Sequence, residues 1–167
     1  MNILIAQKDQ LPIIHQLAHI IWPPTFKEIL SPQQIDYMLH MMYSPESLLK
    51  QLENGHHFII AEQDGKYSGY ASYEFNYKNE LKTKIHKIYV LPETQGQGIG
   101  KTLIDYIENE SIKKEMGLLT LNVNRYNKAV GFYEKTGFKT TGVEDIDIGN
   151  GFLMEDFIME KPVSKTN

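Results

Sequence analysis

An α/β fold is expected, with a mixed, mostly antiparallel twisted sheet, a parallel centre and flanking helices. Three observations predict it. The dipeptides Asp64-Gly65 and Asn150-Gly151 each join apolar runs and read as tight hairpin turns. Between them the apolar run 83–91 feeds a glycine-rich turn, a helix-like stretch and a second apolar run over 118–124, an order that needs a parallel crossover. The length of 167 residues leaves room for one domain with one sizeable core. A single domain over 1–161 is therefore expected, with 162–167 as a flexible tail.

The elements follow in order. Residues 2–6 form a short apolar strand. Over 11–21, Leu11, Ile14, Leu17, Ala18 and Ile21 recur at helical spacing, with Asp9 as cap. Trp22-Pro23-Pro24 is expected to stop this helix, because proline lacks the amide donor and crowds the preceding turn. Ser31-Pro32 starts a second helix carrying Ile35, Met38, Leu39 and Met42 on one side. Ser44-Pro45-Glu46 repeats that signal for a short helix ending at Asn54-Gly55. Residues 58–63 are a continuous apolar run, and 66–75 alternate Tyr67, Gly69, Ala71, Tyr73 and Phe75 with Tyr70, Ser72 and Glu74. A polar loop over 76–81 precedes the strand 83–91. A helix over about 98–116 and a strand over 118–124 come next, then another helix. Ile146 and Ile148 finally turn back at Asn150-Gly151 into a strand over 152–160.

Composition removes several functions. A formal charge of −4 gives no general basic character, so nucleic acid is not an expected partner. No apolar run approaches the roughly 20 residues of a membrane span, and the first residues lack the charged and apolar regions of a secretion signal. A soluble cytoplasmic protein is expected. With 0 cysteines there is no disulfide, cysteine nucleophile or thiolate metal site.

The most informative stretch is Gln95-Gly96-Gln97-Gly98-Ile99-Gly100, followed by Lys101 and Thr102. Glycines spaced two apart let the backbone approach a ligand closely and turn amides inward. The helix that follows adds unpaired N–H groups and the positive end of its dipole. Strand, glycine turn and helix N-terminus together suit phosphate or pyrophosphate. Two nucleotide motifs fail here by one residue. A dinucleotide fingerprint counted from Gly96 would need glycine where Lys101 stands, and a P-loop ending in Gly100-Lys101-Thr102 would need glycine at Gln95.

The remaining pattern, Gln-x-x-Gly-x-Gly, resembles the pyrophosphate loop of the GNAT superfamily of acetyl-CoA-dependent N-acetyltransferases. A second segment, Asn127-x-x-Ala129-x-x-Phe132-Tyr133-x-Lys135-x-Gly137-Phe138, resembles that superfamily's other cofactor-binding stretch, in the expected order and at the expected distance. The resemblance covers roughly 58–161. It implies acetyl-CoA as cosubstrate and no metal. Backbone groups of Ile88, Tyr89 and Val90 would pair with pantetheine as an added strand does, and residues 95–102 would cradle the pyrophosphate. Asn127 would hydrogen-bond the cofactor, with a helix cap as its plainer role, and Lys135 would either reach the phosphates or stay a solvated surface lysine. Tyr133 matches the tyrosine that protonates the departing thiolate, against the plainer reading of a core tyrosine; Phe132 beside it reads as core.

Acetyl transfer also requires a neutral amine, and an amine with a pKa of about 10.4 is mostly protonated at neutral pH. Several superfamily members carry a glutamate where this chain has Lys84, which removes the simplest base. His86 lies two residues on, on the same strand face, and imidazole titrates near 6.5. It is the candidate base, with Glu74 or a relayed water as competitors. His56-His57 invites a metal reading, but neighbouring strand residues face oppositely and no third ligand stands at metal spacing. Trp22, Phe26, Tyr37, Met38, Met41 and Met42 read as helix packing or as a cleft wall. Thr25-Phe26, Ser31-Pro32 and Tyr37 are similar to bacterial polyamine acetyltransferases, so a polyamine or other small amine is the expected acceptor, by direct transfer in a ternary complex. Glu28, Asp36, Glu74 and Asp156 are the acidic residues expected to border its cleft. The alternatives are acetylation of a protein N-terminus or lysine, and a non-catalytic acyl-CoA sensor. Family members are often dimers, so a homodimer stays open, although no stripe marks an interface.

Overall fold

Twelve regular elements follow one another in the computed structural model, which describes residues 1–163: β1 (Asn2–Ala6), α1 (Leu11–Phe26), α2 (Pro32–Tyr43), α3 (Pro45–Glu53), β2 (His57–Gln63), β3 (Lys66–Glu74), β4 (Lys82–Val90), α4 (Ile99–Lys113), β5 (Leu118–Asn124), α5 (Ala129–Lys135), β6 (Lys139–Gly149) and β7 (Phe152–Pro162). The strands join in the order β1-β2-β3-β4-β5-β7-β6. Their described pairings are antiparallel except β4 with β5, which run parallel over Lys82–Ile85 and Leu118–Leu121. The expected mixed sheet with a parallel centre is thus what forms. The chain divides into two compact units, one of Met1–Glu74 with Lys87–Ile107, the other of Phe75–His86 with the chain from Glu108.

In the first unit the hairpin β2–β3 turns at Asp64 and Gly65, both at positive φ (54° and 78°), the geometry that Asp-Gly supplies. Ser31 and Ser44 cap α2 and α3 by accepting the amides of Gln34 and Ser47 at 3.1 and 3.2 Å. The helix α1 departs from expectation twice. It is entered from Gln10 with no side-chain cap, so Asp9 is not its cap. It also runs on through Pro23 and Pro24 to Phe26. Proline's fixed φ is compatible with a helix; the loss is two amide donors. Packing supplies the compensation: Trp22 and Phe26, one turn apart, are both buried with ring centroids 4.6 Å apart, and the amide of Lys27 still reaches Pro23 O at 3.0 Å.

That corner continues into an aromatic cluster. Trp22 lies 5.7 Å from Tyr43 and 5.4 Å from Tyr89, and Tyr70 lies 5.8 Å from each of Tyr43 and Tyr89. The Tyr70 hydroxyl donates to Tyr43 Oη at 2.8 Å. Of the residues expected to pack the first helices, Met38 is buried and Met42 only half so. Gly69 is needed where β3 meets β4: a Cβ there would stand 2.8 Å from Tyr89 O.

In the second unit β5 pairs with β7 from Leu118↔Pro162 to Asn124↔Asp156, and β7 pairs with β6. Leu119, Leu121, Phe138 and Met159 are buried. Two expectations change here. The strand β6 begins at Lys139, well before Ile146, because most of it is exposed and carries no apolar alternation to announce it. The first two residues of the tail expected over 162–167 are not part of one. Pro162 belongs to β7, and Val163 is buried with its amide bonded to Gly117 O at 3.0 Å. The remainder of that tail lies outside the described residues.

Candidate active site

The glycine loop is built by turns, not by a regular element. After Val90, the amide of Leu91 bonds Ser68 O at 2.8 Å, and Thr94 closes a turn onto Leu91 O with both its amide (3.0 Å) and its hydroxyl (2.8 Å). Gly96 and Gly98 then take φ of 87° and 79°, a region that favours glycine, and a Cβ on either would meet nothing within 4 Å. The loop is therefore glycine for its backbone shape and for the open space it faces. Buried Ile99 anchors the start of α4. The first helical bond is Thr102 N to Gly98 O at 3.0 Å, with the Thr102 hydroxyl on the same oxygen at 2.9 Å. The amides of Ile99 and Gly100 thus have no carbonyl within the helix. Gln95 and Gln97 are exposed, and Lys101 is drawn to Asp105 at 2.7 Å. This helix start can bind an anion through N–H groups alone.

The strand that feeds the loop carries Ile88, Tyr89 and Val90, all half-buried. The described parallel pairing of β4 stops at Ile85, short of the strand's end at Val90. In the same unit Glu74, at the end of β3, stands 3.8 Å from His56 Nε2. His57 faces otherwise and stacks on Tyr73 at 5.2 Å.

The other sequence-predicted residues belong to the second unit. Tyr133 is buried on α5, with ring centroids 5.3 Å from Phe132 and 5.8 Å from Phe138. Burial raises its phenol well above the ordinary range, so the hydroxyl stays protonated and can donate. Phe132, expected as core, is only half-buried. Asn127 Oδ1 accepts the Ala129 amide at 2.9 Å, so the plainer role of holding the start of α5 is realised. Lys135 is exposed in the last turn.

His86 is half-buried and meets the Tyr77 ring edge-on at 5.8 Å. Lys84 is 9% exposed, hydrogen-bonds Asn122 Oδ1 through Nζ and lies 5.3 Å from the Tyr77 ring. Desolvation lowers its amine to about 8, against the opposing pull of Glu144 and Asp156. Asn122 Nδ2 in turn donates to Asp156 Oδ2 at 3.3 Å. Asp156 is buried, and desolvation raises its carboxyl above the usual range. It is therefore not the surface carboxylate expected from the sequence. Asn122 and Tyr77 were not anticipated. The available signal for Asn122 was a polar residue set between Leu121 and Val123 in the run Leu118–Asn124.

The chain matches the family described as "Acetyltransferase (GNAT) domain" over residues 26–160, and it belongs to that family. It is 32% identical over 155 residues to the spermidine N(1)-acetyltransferase of Thermoplasma acidophilum, covering 88% of this chain and 91% of that one. A 61-residue stretch is 44% identical to the peptidyl-lysine N-acetyltransferase YjaB of Salmonella typhimurium, spanning 36% of this chain and 39% of the relative. Among solved structures, the PaiA N-acetyltransferase from Thermoplasma acidophilum in complex with coenzyme A superposes with a TM-score of 0.78 at 30% identity, over 97% of this chain and 99% of that one. The protein is an acetyl-CoA-dependent N-acetyltransferase of the GNAT type, which answers the alternative of a non-catalytic sensor.

Proposed function

We propose that the acceptor is a polyamine or similar small cationic amine, acetylated by direct transfer in a ternary complex. The observation that carries this reading is the 32% identity spread over 91% of a spermidine acetyltransferase, since a match over 88% of this chain reaches well beyond the cofactor-binding half. The exposed carboxylates of Glu144, Asp145 and Asp147 on β6 add an anionic surface, which Arg125 offsets only in part through Asp145 at 2.8 Å.

In this reading the amides at the start of α4 hold the pyrophosphate, with Gln95, Gly96, Gln97, Gly98 and Thr102 shaping the loop. The backbone of Ile88–Val90 pairs with the pantetheine arm. Asn127 contacts the cofactor through whatever capacity its Ala129 bond leaves, and Lys135 reaches the phosphates from the surface. Tyr133 gives its proton to the departing thiolate. His86 takes the proton of the acceptor ammonium, with Glu74 as the competing base. The amine then attacks the thioester carbonyl, the C–S bond breaks, and coenzyme A leaves as thiol. The second proton shed by the nitrogen returns the Tyr133 phenolate to the phenol.

Thiol release from acetyl-CoA, followed with a chromogenic reagent over a panel of amines, tests the acceptor. A chain with 0 cysteines adds no background of its own. Saturable turnover of spermidine supports the reading. A panel in which only lysine peptides or peptide N-termini react overturns it and favours the second reading, protein acetylation, to which the 44% match with a peptidyl-lysine acetyltransferase lends support over 61 residues.

A further inference from the structure

The connection that leads into β4 is held in an uncommon backbone shape. Asn76, Lys78 and Asn79 take φ of 53°, 54° and 59°, a region that asparagine tolerates and lysine rarely enters. Two backbone bonds close the turn, Asn79 N to Asn76 O at 2.9 Å and Glu80 N to Tyr77 O at 3.1 Å, and the Asn76 amide reaches Met116 Sδ at 3.5 Å. Strain of this kind persists only where the surroundings over-determine it. What the turn achieves here is the placing of one side chain, the half-buried ring of Tyr77.

Within the second unit, that ring ends a chain of contacts that acetyl transfer as described above leaves without a role. Asn122 Nδ2 donates to Asp156 Oδ2 at 3.3 Å, Lys84 Nζ donates to Asn122 Oδ1, and Lys84 Nζ lies 5.3 Å from the Tyr77 centroid. Lys78 and Lys82 bring two further ammonium groups to 5.4 and 6.0 Å from the same ring. A cation over an aromatic face is attracted to it, and Lys82 is itself held by Glu80 at 3.1 Å. The ring is thereby tied to β5 and β7, although Asn76, Lys78 and Asn79 around it are exposed. Tyr77 also meets the His86 imidazole, with centroids 5.8 Å apart and planes at 78°, the edge-to-face geometry that aromatic rings favour. His86 lies one residue past Ile85, the last residue of β4 in the described parallel ladder with β5.

We propose that Tyr77 is a positioning residue for acetyl transfer: its ring, anchored through Lys84, Asn122 and Asp156, holds the His86 imidazole in the orientation that receives the acceptor's proton. This role rests on the reading of His86 as the base. A base must stand within hydrogen-bond reach of the proton it takes, and a small misplacement costs rate. Lys84 then serves as an anchor and not as a proton acceptor.

A double-variant cycle tests this, read by steady-state kinetics with the best acceptor of the amine panel. Tyr77→Leu should lower kcat on the order of tenfold, a share of the roughly 10²–10⁴ that a positioned base supplies, with the Michaelis constant for acetyl-CoA unchanged. Tyr77→Phe keeps the ring and should retain the parent rate. In a His86→Ala background, adding Tyr77→Leu should cost nothing further, because the ring acts through the imidazole. An equal loss in both backgrounds overturns the proposal and leaves His86 as the base. Undiminished kcat in His86→Ala overturns the base and the positioning role together. In the unmodified protein a nuclear Overhauser contact between the two rings is expected, and its absence overturns the proposal whether or not Tyr77→Leu folds.

Discussion

In the proposed mechanism Tyr133 and His86 divide the proton work by environment. Burial keeps the Tyr133 phenol protonated throughout the working range, which suits a proton donor and not a base. Tyr133→Phe keeps the ring against Phe132 and Phe138 and removes only the hydroxyl. Turnover should fall by about 10²-fold or less, with acetyl-CoA affinity and the acidic limb of the pH–rate profile unchanged. His86→Ala should instead flatten that limb near pH 6–7. A limb that persists in His86→Ala passes the role of base to Glu74, whose contact with His56 is at 3.8 Å. At this scale the sequence names Tyr133 and His86 through a motif and through strand alternation. It does not reveal that Lys84 is held by Asn122 and Asn122 by Asp156, because those three stand on three different strands and meet only through register.

Packing of whole elements concentrates on Lys87, in β4. Its amine donates to Gln51 Oε1 of α3 at 2.7 Å and lies 5.1 Å from the Tyr43 ring, with desolvation lowering it to about 8. In the unfolded chain a lysine titrates at about 10.4. Folding therefore disfavours the charged form, so stability should rise as pH climbs from about 8 to about 10.4 and show no lysine dependence below that window. Lys84, also lowered to about 8, adds in the same direction. Lys87→Met removes the penalty and loses the Gln51 bond, a net gain on the order of 2 kcal/mol near pH 7 with a flatter rise above pH 8, measured by urea unfolding across that range. The glycine loop gives the second element-scale test. Acetyl-CoA at a hundredfold excess over its dissociation constant should stabilise the fold by about 2.7 kcal/mol. Gly98→Val, at φ of 79° and facing open space, should abolish that shift through strain and blocked approach. An unchanged shift would remove the loop from the cofactor site. Loop, hairpin turns and most helix starts were legible because each depends on residues adjacent in sequence. The length of α1 was not, since its passage through Pro23 and Pro24 depends on Trp22 and Phe26 meeting Tyr89 of a distant strand. The extent of β6 was not legible either, since its exposed edge needs no apolar pattern.

Across the whole molecule, charge is what bears on the choice of acceptor. The chain carries a formal −4, and the hairpin β6–β7 holds Glu144, Asp145, Asp147 and Glu155 with Arg125 as counter-charge to Asp145 and Glu155. A polycation approaching such a surface gains from long-range attraction that is screened over about 10 Å at 0.1 M salt. The Michaelis constant for spermidine should therefore rise with salt, while that for a singly charged amine changes less. The sequence alone pointed to Asp156 for this attraction, but that side chain is buried and engaged by Asn122, so its neutralisation would disturb the core instead. Glu144→Gln/Asp147→Asn changes only exposed carboxylates and should raise the spermidine Michaelis constant severalfold with turnover nearly preserved. The complementary outcome has a distinct signature. If the double variant leaves the constant and its salt slope untouched, the anionic surface plays no part in recognition. The polyamine reading then rests on similarity to the spermidine acetyltransferase alone.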